Sequence, residues 1–456
     1  MKKTILFLFL LSMNFQGYTQ CWKSVSASIY TTMAIKNDGT LWAWGGNFHG
    51  MVGDGTLIDK NTPTQIGTAT DWKIVSAGES HSMAIKNDGS LWSWGYNGYG
   101  ELGDGTNVDK IVPTQIGTGT DWEIVSATYW SNMAIKKDGT LWGWGFNFDY
   151  GQLGDGTKIN RNTPVQIGNE TDWLKVSAGP AHTVALKTNG TLWAWGNNVY
   201  GQFGNGNNIN SLVPIQIGTD SDWVEALAGE YHTLALKTNG TIWSTGLNSD
   251  GRLGDGTISA RNLLLQVGTA DDWQSIGIGK YNSIGIKNNG TLWTCGMNYH
   301  GLLGDGTSTE RHVLTQIGTA TNWKTAQTGE YHTVALKKDD TFLIWGDNMY
   351  GQLGNDGMST FSLSPSTITC SAILALEEQN NLSYSIYPNP TKSILNIQFS
   401  TVTDIYRILI VDMTGKKVLE QNGNANRINV QNLAQGSYII SVVTNEKVIN
   451  QKFIKN

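Results

Sequence analysis

Four histidines, His81, His182, His232 and His332, are the residues of this 456-residue chain best suited to acid–base or metal chemistry. They share one position of a repeating pattern, and Thr31, Ser131 and Asn282 fill it elsewhere. A metal site or a general base does not survive replacement by hydroxyl and amide groups. A structural hydrogen bond does, so these imidazoles are expected to bond and not to catalyse. Gly-Asp-Gly-Thr recurs at Gly53, Gly103, Gly154, Gly254 and Gly304. It lacks the alternating ligands of a calcium loop and the lysine of a phosphate loop, and reads as a repeated turn. Lys36, Lys86, Lys136, Lys187, Lys237, Lys287 and Lys337 also recur in register. They are expected to be solvated charges that discourage sheet-edge pairing. The carboxylates lie largely in repeated turns, and no unique pair stands out as acid and nucleophile for glycoside cleavage. The sequence therefore predicts a non-catalytic protein with no metal and no cofactor.

The elements behind these positions come from the period. Trp22, Trp72, Trp122, Trp173, Trp223, Trp273 and Trp323 recur every 50 residues, once 51. Each opens a unit of four short apolar runs separated by turn residues. Asp38-Gly39, Asp88-Gly89, Asp138-Gly139, Asn189-Gly190, Asn239-Gly240 and Asn289-Gly290 are two-residue hairpin signals, while Asp339-Asp340 departs from them. Four antiparallel strands per unit of this length predict an all-β, seven-bladed β-propeller over residues 21–370. The first unit has no Pro-Thr-Gln-Ile segment before its tryptophan, and Pro365–Cys370 matches that segment. The C-terminal strand is thus expected to join the first blade and close the ring. In that register Cys21 and Cys370 stand four positions apart across a short loop, which predicts a disulfide between them. So long a loop would stabilise by about 4–5 kcal/mol or less. Cys295 replaces a strand tryptophan and is expected to be a buried free thiol.

Antiparallel strands place alternate loops at opposite ends of a blade. The loop before the histidine position and the long loop after Trp-Gly share one face. That face collects Tyr30, Trp130, Tyr231, Tyr281 and Tyr331 from the short loops, and His49, Tyr99, Tyr150, Tyr200, His300 and Tyr350 from the long ones. Tyrosine and tryptophan in loops are large, rigid and amphipathic, as recognition surfaces require. The alternative role for these rings is packing against neighbouring blades.

Residues 1–20 read as a secretory signal peptide, with Lys2 and Lys3 before an apolar run from Ile5 to Leu11. Acylation of Cys21 is the lipoprotein alternative. That run is too short for a confident membrane span, and no other stretch could cross as a helix. From Tyr384 onward there are 8 Lys/Arg against 4 Asp/Glu, so the chain's net charge of −6 conceals a more acidic body. Such a body offers no footprint for phosphate backbones, which argues against nucleic acid. Residues 371–383 read as a linker, and alternating apolar runs in 384–456 predict a small β-sandwich.

The units, as in Gly229–Leu236 and Leu192–Gly204, resemble the regulator of chromosome condensation repeat family, which forms seven-bladed propellers. Its best-known activity is guanine-nucleotide exchange, which an exported, acidic chain disfavours. Tyr387-Pro388-Asn389-Pro390, Gly415–Val418, Gly436-Ser437-Tyr438 and the terminal Lys452-Phe453-Ile454-Lys455 resemble the type A sorting domain of the type IX secretion system. That resemblance implies recognition by the secretion machinery, cleavage by a sortase-like peptidase, and a secreted or outer-surface location. The generic alternative for this tail is an adhesion sandwich. The expected function is a secreted or cell-surface binding protein for a protein or glycan ligand. A secreted carbohydrate-active enzyme is the alternative.

Overall fold

The computed structural model describes residues 21–356, 359–368, 384–399, 405–412, 417–423, 426–444 and 448–456. The signal-peptide reading of residues 1–20 and the linker reading of 371–383 lie outside the described residues. Two compact units divide the chain, Met1–Cys370 and Ser371–Asn456. The first consists of seven four-stranded antiparallel sheets, each with its strands in chain order. In the second repeat the strands are Trp72–Ala77, His81–Lys86, Leu91–Gly95 and Lys110–Gln115. The tryptophan-bearing first strands of all seven sheets line one central cavity, so they are innermost and the fourth strands outermost. The sheets are blades of a propeller.

Strand alternation decides what fills the seams between blades. Met83, Ile85 and Leu91 of the second blade meet Trp122, Val125, Ala134 and Trp144 of the third in one buried cluster. The same pattern joins the first blade to the second through Met33, Ile35, Leu41, Trp72 and Trp94. Each seam also carries a polar staple. Trp94 Nε1 donates to the Met51 carbonyl of the preceding blade at 2.9 Å, and Trp144 Nε1 to Glu101 at 3.0 Å. Trp44, Trp195 and Trp345 repeat the bond to Gln352, Gln152 and Leu302. Blades five and six replace this tryptophan by Thr245 and Cys295, whose Oγ1 and Sγ reach the Gly201 and Arg252 carbonyls at 2.8 and 3.7 Å.

Those two blades differ at a second place. Pro63, Pro113, Pro164, Pro214 and Pro365 sit in the outer strands of the tryptophan-bearing blades, whereas Leu264 and Leu314 sit there in blades five and six. Leu264 lies beside Thr245 over Gly204, and Leu314 beside Cys295 over Gly254. The larger aliphatic side chain occupies space the missing indole leaves, as close packing requires. Unlike proline, Leu264 also has an N–H, which donates to the Gly204 carbonyl at 3.1 Å.

The ring closes differently from the sequence expectation. Phe361–Ile368 pairs with Phe342–Asp347 as the fourth strand of the seventh blade, not with the first blade. The first unit lacks a preceding Pro-Thr-Gln-Ile segment because that segment ends a blade and does not begin one. Closure is by faces: Trp22, Val25 and Trp44 pack on Val334, Leu336, Phe342 and Ile344. A Cβ on Gly329 would stand 1.7 Å from the Ser28 carbonyl oxygen, so only glycine lets these backbones approach. Cys21 is disulfide-bonded, and its predicted partner, Cys370, lies outside the described residues. Cys295 is a buried free thiol that burial pushes up to about 12.

The recurring lysines are not solvated edge charges. They lie on second strands, which have a neighbour on both sides. Lys86 Nζ is 3.0 Å from Asp71 and stands over the Trp72 and Trp92 rings at 4.9 and 4.7 Å. Lys136, Lys187, Lys237 and Lys287 repeat the arrangement with Asp121, Asp172, Asp222 and Asp272. They tie the loop entering a blade to its own aromatic core. The Asp339-Asp340 turn forms with Asp340 at φ 58, where the first blade has Gly39.

The second unit is a sandwich of a three-stranded and a four-stranded antiparallel sheet. Ile386, Leu395, Ile397, Ile408, Ile410, Ile428, Tyr438, Ile440 and Phe453 form its core. No helix among the described residues is long and apolar enough to cross a membrane.

Candidate functional site

Each first strand turns into the second through a two-residue loop. The residue before the loop donates its N–H to the carbonyl after it, as Gly78 does to His81 at 2.9 Å. The first loop residue lines the central cavity: Ile29, Glu79, Tyr129, Pro180, Glu230, Lys280 and Glu330 around the ring. The second loop residue is Tyr30, Ser80, Trp130, Ala181, Tyr231, Tyr281 or Tyr331. A cavity of about 440 Å³ thus has a mouth whose seven positions carry three carboxylates, one ammonium and one phenol.

These groups interact. Lys280 Nζ lies 3.1 Å from Glu330 and 3.6 Å from Glu230, and stands over the Tyr129 and Tyr281 rings at 4.9 and 5.1 Å. The Tyr129 hydroxyl donates to Glu330. Burial works against the Lys280 ammonium, yet Tyr281, Glu230 and Glu330 hold it above its usual range. Burial, then the neighbouring Glu330, pushes the Glu79 carboxyl up to about 7. Glu79 Oε2 is shielded from solvent and has no hydrogen-bond partner among the described residues. Burial likewise raises Glu230.

A terrace of rings surrounds the mouth, and at several junctions a long loop delivers a ring to the next blade's short loop. Tyr350 meets Tyr30 at 5.1 Å, Tyr99 meets Trp130 at 6.1 Å and Tyr200 meets Tyr231 at 5.1 Å between ring centres. Tyr281 and Tyr331 are 6.4 Å apart, and Tyr299 links Tyr331 to His300. His300 adopts φ 51, stacks between Tyr299 and Phe361, and bonds Asp347 through Nδ1 at 2.6 Å. Tyr150 is half-buried near Tyr231, whose phenol is pushed up to about 12 by burial, then by Glu230, Tyr150 and Tyr200. His49 bonds Asp109 at 3.1 Å and packs on Tyr96. The rings thus pack between blades, the alternative role, without all being buried by it. They clamp adjacent blades, and Tyr99, Trp130 and Tyr200 remain exposed.

The long loops are held by an asparagine. Asn97 Nδ2 donates to Asp104 and to the Thr106 and Val108 carbonyls, while its Oδ1 accepts from Leu102 N–H. This makes Gly-Asp-Gly-Thr a fastened turn. No group of three or more His, Cys, Asp or Glu among the described residues could hold a metal.

The histidines lie in the seams. His81 Nε2 bonds Asn132 at 2.8 Å, His182 bonds Thr233 at 2.9 Å, His232 bonds Ser283 at 3.3 Å and His332 bonds Thr32 at 2.8 Å. Each bond crosses to the next blade, the last across the ring closure. Burial drives these imidazoles down, His81 to about 4 and His182 and His332 to about 3, so they are neutral spacers.

Sequence reasoning placed the ring terrace on this face and missed the mouth. Glu79, Tyr129, Glu230, Lys280 and Glu330 drew no attention because each looks like an isolated loop residue. The available signal was divergence: theirs is a column where otherwise similar repeats disagree in charge.

In the second unit the two halves of the sorting motif meet. Asn389 Nδ2 donates to the Lys452 carbonyl at 3.2 Å, and its Oδ1 accepts from Ile454 N–H at 2.9 Å. Thr391 bridges to Lys455, and the Tyr438 and Phe453 rings stack at 5.6 Å. Gly436 pairs with Lys455 at the strand end. Tyr387-Pro388 and Asn389-Pro390 are cis.

The Regulator of chromosome condensation (RCC1) repeat matches residues 38–85, 88–135, 138–186, 189–236 and 289–336, more than half of the chain. A second model of the same description matches 22–50, 72–101, 173–202 and 228–252. The secretion system C-terminal sorting domain matches 385–456. No curated protein matches in sequence. Among solved structures, human WBSCR16 superposes with a TM-score of 0.65 at 18% identity, covering 73% of this chain and 94% of its own. Prp20p from Saccharomyces cerevisiae, described with its binding to Gsp1p and histones, gives 0.65 at 21% identity over 78% and 89%. These likenesses show the fold. The chain belongs to the regulator of chromosome condensation repeat family and ends in a type IX secretion sorting domain.

Proposed function

We propose that this is a non-catalytic binding protein, exported through its sorting tail to the cell surface or the surrounding medium, that holds a protein or glycan ligand over the channel mouth. The observation that supports it most is the contrast between columns. Seam positions repeat with interchangeable bonding groups, whereas the mouth breaks the sevenfold pattern with Glu79, Tyr129, Glu230, Lys280 and Glu330. Exposed Tyr99, Trp130 and Tyr200 add rigid contact area around it. Protein and glycan arrays probed with the exported protein test the reading, followed by Trp130→Ala, Tyr231→Ala and Tyr331→Ala. Binding that persists unchanged in all three removes this face from contention.

One observation favours a second reading, glycoside hydrolysis. Glu79, with its raised carboxyl, shares a cavity with two other glutamates, as an acid and an ionised partner would. A polysaccharide screen tests it: hydrolysis abolished by Glu79→Gln would establish it.

A further inference from the structure

The mouth already holds a cation, its own. Two carboxylates and two aromatic faces surround the Lys280 ammonium, which shows the kind of group this geometry stabilises. Lys280 is engaged with Glu230 and Glu330, leaving Glu79 over. Its Oε2 is cut off from solvent and accepts no hydrogen bond among the described residues. The charged and titratable groups that reach Glu79 are Glu330, Lys280, Tyr30 and Tyr129, with Glu230 on the same rim. A half-buried carboxyl with one oxygen shielded and unpartnered, beside an open cavity, is suited to form half of an ion pair.

We propose that the channel mouth receives one positively charged side chain, lysine or arginine, of an extracellular protein ligand, with Glu79 as its counter-ion. This rests on the reading that the ligand sits over the mouth. An ammonium or guanidinium brings the charge and the donors that Glu79 lacks, and the exposed Trp130 ring, beside Tyr129 of the rim, offers a face to its aliphatic stem. A neutral sugar hydroxyl would supply a donor but no charge. The arrangement carries a pH signature. Because the free carboxyl titrates near 7, an arriving cation favours its ionised form and expels a proton. Binding therefore strengthens from pH 6 to pH 8.

The test uses the full exported protein and a bead-displayed heptapeptide library. At pH 8, arginine or lysine should be enriched at least fivefold at one position. That enrichment should fall severalfold at pH 6 and disappear in Glu79→Gln, which keeps the shape and removes the charge. Trp130→Ala should weaken binding at both pH values. Enriched peptides without a basic position, or the same peptides selected by Glu79→Gln, overturn the cation receptor. If binding in that case is still lost in Trp130→Ala, the binding face survives and this inference alone falls. Binding indifferent to Trp130→Ala, Tyr231→Ala and Tyr331→Ala defeats the proposed function as well.

Discussion

Glu79, in a loop, and His81, which opens the next strand, stand two residues apart, yet they belong to differently governed regions. His81 faces the next copy of its own repeat and bonds Asn132 there. A change at such a seam position must be met by the neighbouring blade, so the column admits His, Thr, Ser or Asn and little else. Glu79 faces the common axis, where no seam bond to the next blade has to be matched. Its column runs Ile, Glu, Tyr, Pro, Glu, Lys, Glu. In a repeat protein, divergence among internal copies therefore points to the surface that has been free to specialise.

The comparison breaks most sharply at a seam tryptophan. Trp94 is fully buried and staples the second blade to the first. Trp94→Thr should cost about 3–5 kcal/mol in denaturant unfolding. Adding Pro113→Leu recreates the Thr245–Leu264 pair of blade five and should return part of that loss. Additive losses in the double variant would show that the two columns are not coupled. Glu79→Gln, by contrast, should not destabilise at neutral pH, because burial and Glu330 already press against its charge and the substitution removes that charge.

This coupling also shows what the sequence made legible. Tryptophan spacing and Asn-Gly or Asp-Gly turns defined blades, strands and loop faces, because they are local and repeated seven times. Ring closure was misread because a matching segment can end one blade or begin the next, and only pairing with Phe342–Asp347 decides. The lysines were misread because a second strand looks like an edge until its neighbours are placed. The mouth was invisible because its five residues are about 50 or more positions apart and meet only on the axis.

Glu101 is the seam's exception. Blades four and seven place Gln202 and Gln352 at its position, each accepting the N–H of a terrace tyrosine. Glu101 accepts Tyr99 N–H in the same way, and burial pushes its carboxyl up to about 7. The folded state therefore prefers the neutral acid. Its contribution is fully present below the unfolded value near 4.5 and is lost as pH rises through 7. Glu101→Gln should stabilise by about 2–3 kcal/mol at pH 8 and by almost nothing at pH 4. Equal effects at both pH values would refute the buried-carboxyl account.

The histidines carry the opposite sign. His182 is held down at about 3 by burial, so the unfolded chain takes up a proton below about 6.5 and the folded chain does not. Stability is complete above that value and lost as pH falls toward 3. His182→Asn imitates Asn282 and should narrow the stability gap between pH 7.5 and pH 5 by about 2 kcal/mol. An unchanged gap would mean that the imidazole is protonated in the fold.

The smallest effect comes from the region with no repeat at all. In the tail, one side chain joins the two halves of the motif: Asn389 bonds both the Lys452 carbonyl and the Ile454 N–H. No neighbouring copy shares that work, but the bonds are solvent-exposed, so Asn389→Ala should cost about 1 kcal/mol. Amide exchange at Ile454 should quicken severalfold while Ile85 and Ile135, in blade cores, exchange as before. Faster exchange at those blade amides would show that the two compact units are not independent. Loss of export without any change at Ile454 would mean that Asn389 is read directly by the secretion machinery, and not through the strand it holds.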